Sequence, residues 1–315
     1  MSLIWIWTSA LAAPDVSTLV QLEPGAVTCA DEGQAHGARV ELVLDEPALV
    51  YGLASAWDGT PGEVALSEPS NGVCHGYSLH QESVARDGSV AVSLARLLPA
   101  GTHAVELSAT EATSAVLEVS VLRLDDLMAW GIRREVAEAA LRAADHGWTE
   151  GAARRSTLAI IDFSRPSTEE RIWLVDLHGA ELQHHLLLTH GKGSGHWSRK
   201  ERAVRFSNVP FSNQSSLGLF VASETYIGSN GRSMRLDGLE PEVNDLARER
   251  QIVFHGAEYA RMDHVAEWGY LGRSHGCPAV DDRIAQVIID ALHDGGLLYS
   301  WYPDRSFIAQ SEVLR

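Results

Sequence analysis

Two stretches of the 315-residue chain carry residue types able to do chemistry. One is "LGRSHGCPAV", Leu271 to Val280, which sets Cys277 between a glycine and a proline. The other is "IVFHGAEY", in which His255 ends an apolar run. A thiolate is the nucleophilic form of cysteine, so a catalytic thiol needs a neighbour that takes its proton or lowers its pKa. His255 and His275 are the candidate bases. Gly276 permits a sharp turn that aims backbone N–H groups at a developing oxyanion. Asp281 reads as the N-cap of the last helix, whose positive end would favour the thiolate. On that basis Cys277 is expected to react with iodoacetamide well below pH 8.5. Residue types alone leave a second role open for Cys277, that of a small buried hydrophobe.

The elements that must position these residues fall into two groups. From Val16 to about Leu124 short alternating segments such as "ARVELVLDEPALVYGLAS", "HAVELSA" and "AVLEVSVLRL" are separated by "WDGTPGE", "EPSNG", "RDGS" and "PAG". Alternation with turn chemistry at this spacing predicts a small antiparallel β-sandwich over 14–125. Residues 132–145 read as an amphipathic helix with Val136, Ala140 and Leu141 on its apolar stripe, within a helical linker over 126–152. Beyond it "TLAIIDFS" and "RIWLVDL" form a hairpin around a Pro-containing turn, "HHLLLTH" extends the sheet, and "QIVFH" and "LLYSWYP" are further strands. The glycine- and serine-rich stretch from His190 to Ser223 reads as long loops around a site. A last helix is expected from about Asp282 to His293. The fold class is mainly β with α+β character.

Charge and composition exclude several functions. The hydrophobic fraction of 45% and charged fraction of 21% are those of a folded protein. The net charge of −17 is uneven: residues 1–150 hold 7 Arg against 21 Asp and Glu, residues 151–315 hold 18 Lys and Arg against 21. Neither half has the clustered cations of a nucleic-acid footprint. "HGKGSGHW" lacks the spacing of a phosphate-binding P-loop. The histidines His178, His184, His185, His190 and His196 match no standard zinc ligand set, so no metal site is expected. The opening "MSLIWIWTSALAAPDVS" has the short apolar run and A-x-A site of a secretory signal over 1–13, and no later run is long enough to span a membrane. In an oxidising compartment Cys29 and Cys74 could pair and leave Cys277 free. The aromatic side chains Trp197, Tyr259 and Trp268 are candidates for stacking on a ligand. The sequence is silent on oligomeric state.

With "GRSHGCPAV" preceded by a separate His-Gly, residues 155–303 resemble the YkuD-like L,D-transpeptidases, and in particular the murein L,D-transpeptidase catalytic domain family. The matching stretches include "HGKGSG", "FSNVPFSNQSSLGLF" and "GRSMRLDGLEPEVNDLARERQIVFHGAEY". The resemblance implies an L,D-transpeptidase-like domain over 153–315 acting on peptidoglycan stem peptides, with no cofactor, in an exported protein of the periplasm or cell envelope. It implies Cys277 as nucleophile, His255 as base, the Gly256 carbonyl as orienter of the imidazole, and backbone N–H groups of His275, Gly276 and Cys277 as oxyanion hole. Ser274 and His275 would shape the loop. The chain departs from the family pattern in two ways. The 18-residue spacer between His255 and Ser274 is slightly long, and "CPAV" lacks the arginine that often follows the cysteine. Arg273 would supply a charge to a substrate carboxylate, with His190, Tyr259 and Trp268 lining the cleft. Hydrolysis by the same thiol, as L,D-carboxypeptidase or cross-link hydrolase, and a silent peptidoglycan-binding role are the alternatives.

Overall fold

Alternation of apolar and polar residues along a strand sends every second side chain to the same face. On β2 (His36–Leu44) this puts Val40, Leu42 and Leu44 inward and leaves Val43 in solvent. A computed structural model of the protein describes residues 16–20, 36–56, 63–68, 73–75, 83–84, 90–109 and 115–315. The expected signal segment and Cys29 lie outside the described residues. The chain divides into two units, Met1–Arg123 with Leu177–Ala180, and Leu124–Asp176 with Glu181–Arg315.

The first unit carries β1 (Val16–Val20), β2, β3 (Ala48–Ala56), β4 (Glu63–Glu68), β5 (Val73–His75), β6 (Ser83–Val84), β7 (Val90–Leu98), β8 (Gly101–Ala109) and β9 (Ala115–Arg123). They form a five-stranded sheet in the order β1-β9-β3-β7-β6 and a four-stranded sheet in the order β2-β8-β4-β5, antiparallel throughout. Val50, Val92, Leu94, Leu117, Val119 and Val121 from the first sheet join Leu44 and Val105 from the second in a single apolar core. One core shared by two facing sheets is a β-sandwich.

The second unit opens with two helices, α1 (Leu124–Ala129) and α2 (Arg134–Thr149). Val136, Ala137, Ala140, Leu141, Ala144 and Trp148 recur at helical spacing and are all buried, and Gly147 lets the helix approach the Leu297 side chain closely. The sheet is built from β10 (Thr157–Asp162), β11 (Ile172–Asp176), β12 (Glu181–Leu186), β13 (Gly218–Gly228), β14 (Gly231–Gly238), β15 (Val253–Ala257), β16 (Ala279–Asp281) and β17 (Leu297–Trp301). Its order is β12-β11-β10-β17-β13-β14-β15-β16. β10 runs parallel to β17 and β15 parallel to β16, while the other neighbours are antiparallel. β10 and β17 are interior strands of this sheet and are buried along their whole length, Thr157, Asp162 and Ser300 included.

Three local expectations change. The expected loop region ends in a hairpin, β13 and β14, closed where Gly228 pairs with Gly231. The Asn230-Gly231 dipeptide at that turn is its sequence signal. The last helix of the "DRIAQVIIDALH" segment, α4 (Ala285–Leu292), starts later than expected. After β17 comes a short helix, α5 (Arg305–Gln310), capped by Asp304, which accepts from the Ser306 and Phe307 amides.

Candidate active site

β15 lies between β14 and β16 and carries His255 at its middle. Its parallel partnership with β16 pairs His255 with Ala279, Gly256 with Val280 and Ala257 with Asp281. The His255 amide also donates to the Pro278 carbonyl at 3.4 Å. Cys277 therefore lies two residues before Ala279, the residue of β16 that pairs with His255. The 21 residues joining His255 and Cys277 form a turn of 3-10 helix (Glu258–Ala260), α3 (Met262–Trp268) and the loop that carries the cysteine.

His255 is 2% exposed, and its Nδ1 lies 2.9 Å from the Gly256 carbonyl. A carbonyl only accepts, so Nδ1 carries the proton and Nε2 keeps its lone pair. Burial pushes the imidazole pKa down, against the smaller opposing effect of the Gly256 bond. Cys277 is half-buried, and its thiol donates to the Gln251 carbonyl at 3.6 Å. Burial pushes the thiol up, with the Val253 and Cys277 amides and the Arg250 charge pulling the other way. Both shifts favour the uncharged form, so the resting pair is a thiol and a neutral imidazole. This corrects the expectation of a pre-formed thiolate reacting well below pH 8.5.

The source of that expectation is also corrected. Asp281 ends β16 and is not a helix cap; it accepts from the Arg283 amide and side chain, and α4 begins after Ile284 with no side-chain cap. The positive end of α4 starts eight residues past Cys277.

Ser274 organises the cysteine loop. Its hydroxyl donates to the Cys277 carbonyl at 2.6 Å and accepts from the Gly276 amide at 3.1 Å. The Gly276 amide is thus already used, which corrects its expected place in an oxyanion hole. The amides of His275 and Cys277 donate to no oxygen among the described residues. Gly276 has φ +129°, and a Cβ there would lie 2.8 Å from the Gln214 carbonyl oxygen. His275 is exposed, with its Nε2 accepting from Lys192 Nζ at 2.9 Å.

The loop is held from below by residues 189–192. The Thr189 amide donates to Ala279, the Ser274 amide to His190, and the Lys192 amide to Ser274. Gly191 is a residue only glycine can fill, since a Cβ would run into the Asn213 carbonyl and lie 2.8 Å from the Gly276 Cα. His190 is 0% exposed, so it does not line a cleft as expected. Its Nδ1 accepts from Arg171 at 2.9 Å, and burial, then Arg171 and Arg273, keep it neutral. Arg171 is itself buried, its pKa lowered to about 9, with its guanidinium bound to the Leu188 and Arg165 carbonyls.

The other expected binding residues are dispersed around this centre. Tyr259 is half-buried under Gly272, whose amide donates to the Tyr259 carbonyl, and its phenol is pushed up to about 12, by burial and then by the charge of Cys277. Arg273 stacks over the Tyr270 ring at 5.8 Å, and among the described residues no carboxylate lies within ion-pair distance of it. Trp268 is 57% exposed at the end of α3, and Trp197 is exposed on the 195–203 hairpin. Among the described residues no group of three or more His, Cys, Asp or Glu could hold a metal ion. Sequence reasoning missed Arg250, which lies five residues before His255 and hydrogen-bonds to Ser207, Ser212, Gln214 and Ser216; its one sequence signal is a cation inside an otherwise loop-forming motif.

A family model for the L,D-transpeptidase catalytic domain matches residues 129–301, more than half of the chain, and the chain belongs to that family. Its second unit has the YkuD-like fold of the family. Among solved structures it is similar to an L,D-transpeptidase from Mycobacterium smegmatis, at 13% identity and TM-score 0.30, covering 91% of this chain and 99% of that one. It is also similar to the L,D-transpeptidase LdtMt1 in complex with imipenem, at 11% identity and TM-score 0.29, covering 91% of this chain and all of that one. A comparison with curated proteins finds no match.

Proposed function

We propose that this protein is a peptidoglycan L,D-transpeptidase of the bacterial cell envelope that uses Cys277 as nucleophile and His255 as general base. The observation that carries the reading is the buried His255 imidazole. Its Nδ1 is fixed on the Gly256 carbonyl, and its strand is paired in register with the strand that follows Cys277. With the proton on Nδ1, Nε2 keeps the lone pair that a general base needs. Among the described residues no helix is long and apolar enough to cross a membrane.

In the first half-reaction Cys277 passes its proton to His255 Nε2 as sulfur bonds to the acyl carbon of the third residue of a donor stem. The oxyanion is received by the free amides of His275 and Cys277. Collapse of the tetrahedral species breaks the bond to the terminal D-Ala, whose amine leaves with the proton from His255. In the second half an acceptor amine gives its proton to His255, attacks the thioester and restores the thiol. A resting thiol with a neutral imidazole suits this sequence, because no charge has to be buried before substrate arrives.

Intact-protein mass spectrometry after incubation with a tetrapeptide stem or a carbapenem tests the reading. The expected result is an adduct mapping to Cys277 and lost in Cys277→Ala. Folded wild-type protein with a free thiol and no adduct from either reagent would sink it.

A further inference from the structure

Arg250 is a cation that acts on the cysteine and, among the described residues, has no acid to answer it. It precedes β15 and extends under the loop 207–216. Its Nη1 donates to the Ser207 carbonyl and to Ser216 Oγ at 2.5 Å; its Nη2 donates to Ser212 Oγ at 3.2 Å and to the Gln214 carbonyl at 2.7 Å. All four acceptors are neutral oxygens. Among the described residues no carboxylate lies within ion-pair distance of Arg250, whereas its neighbour Arg248 is held by both Glu224 and Asp237. A half-buried guanidinium with no counter-charge is costly unless some other group supplies one.

The same arginine is tied to the cysteine through the backbone on two sides. Gln251, the next residue, holds φ +57°, a conformation uncommon outside glycine, and its carbonyl receives the Cys277 thiol. Gln214, whose carbonyl Arg250 grips, sits against Gly276 closely enough that no side chain fits between them. Arg250 thus braces both walls of the cysteine loop.

We infer that Arg250 is the positioning residue of Cys277: its guanidinium locks the 207–216 loop and the Gln251 carbonyl around the sulfur, and the thiolate formed during turnover is the counter-charge its position lacks. The inference rests on Cys277 being the nucleophile. The electrostatics run the same way in both directions, since Cys277 raises the Arg250 pKa and Arg250 lowers that of Cys277. The other titratable groups around the sulfur are His255 from β15, Tyr259 from the 3-10 turn, and His275, which accepts from Lys192. His255 is neutral at rest and Tyr259 stays protonated. Arg250 is therefore the fixed positive charge on the Gln251 side of the sulfur.

The test is the rate of Cys277 carbamidomethylation by iodoacetamide across pH, in the full chain, for wild type, Arg250→Met and Arg250→Lys, each checked for folding by near-ultraviolet circular dichroism. The alkylation uses no peptidoglycan substrate, so it reads the thiol whether or not transpeptidation is the reaction; only the acyl-enzyme comparison for Arg250→Lys uses a donor stem. Removing a cation disfavours the thiolate, so Arg250→Met is expected to move the alkylation midpoint up by about one pH unit. At pH 8 that means roughly tenfold slower labelling. Arg250→Lys keeps the charge but not the four-bond fork, and is expected to hold the wild-type midpoint while losing at least tenfold in acyl-enzyme formation. Equal midpoints in wild type and a folded Arg250→Met would overturn the inference. If Arg250→Met does not fold, a midpoint displaced by more than one unit in Arg250→Lys does so instead. A labelling profile that His255→Ala leaves untouched would count against the nucleophile–base pair itself, separately from Arg250.

Discussion

At the scale of single residues, the chemistry is set by two opposed departures from ordinary titration. Burial drives the His255 imidazole below 6.5 and the Cys277 thiol above 9.0. A base whose folded pKa is lowered is still neutral when the pH has dropped to its usual value, and an acid whose pKa is raised is still protonated at its own. The thiol–imidazole pair therefore persists across the interval between them. The rate of acyl-enzyme formation is expected to be flat through neutrality, with its acid limb below pH 6.5 and its alkaline limb above pH 9. A stopped-assay pH profile checks this. An acid limb at or above 6.5 would mean that burial does not lower the imidazole pKa.

At the scale of elements, close backbone approach under the cysteine loop decides the geometry. Gly276→Ala places a side chain at a φ of +129° and against the Gln214 carbonyl, which is expected to cost about 1–3 kcal/mol. Gly191→Ala forces the 189–192 segment away from Asn213 and Gly276, at a comparable roughly 1–3 kcal/mol. Urea midpoints measure both costs, and labelling of Cys277 should fall in both variants while Gly231→Ala, with open space around its Cα, leaves labelling unchanged. The same elements show what could be read in advance. The hairpin of β10 and β11, the existence of a strand at His255 (though it runs on to Ala257) and the stripe of α2 were legible because period-2 and period-3.6 patterns report burial directly. Cys277 and His255 were legible as residue types. The place of Arg250, the burial of His190 and the use of the Gly276 amide were not, because each depends on which loops meet. Loops meet through backbone carbonyls that every residue possesses. Asp281 misled for a related reason: an acidic residue before an apolar run looks like a helix cap, yet its hydrogen bonds went to Arg283 at the end of a strand.

At the scale of the whole molecule, an excess of 17 negative charges makes the folded state repel itself. Raising salt from 0.01 M to 0.15 M shortens the screening length from about 30 Å to about 8 Å. The melting temperature at pH 7 is therefore expected to rise over that range, and the gain to vanish near the isoelectric pH, where the net repulsion is gone. Calorimetry at two salt concentrations and two pH values checks both statements. The parallel pairing of β15 with β16 has its own consequence at this scale. It fastens the segments that carry His255 and Cys277 to each other through the sheet, while α3, which lies between them in the chain, buries none of its residues. α3 alone is therefore a detachable handle: its replacement by a different insert is expected to leave the segments on either side of it, with Gly256, Ser274 and Gly276, in place and to alter only the rim beside them.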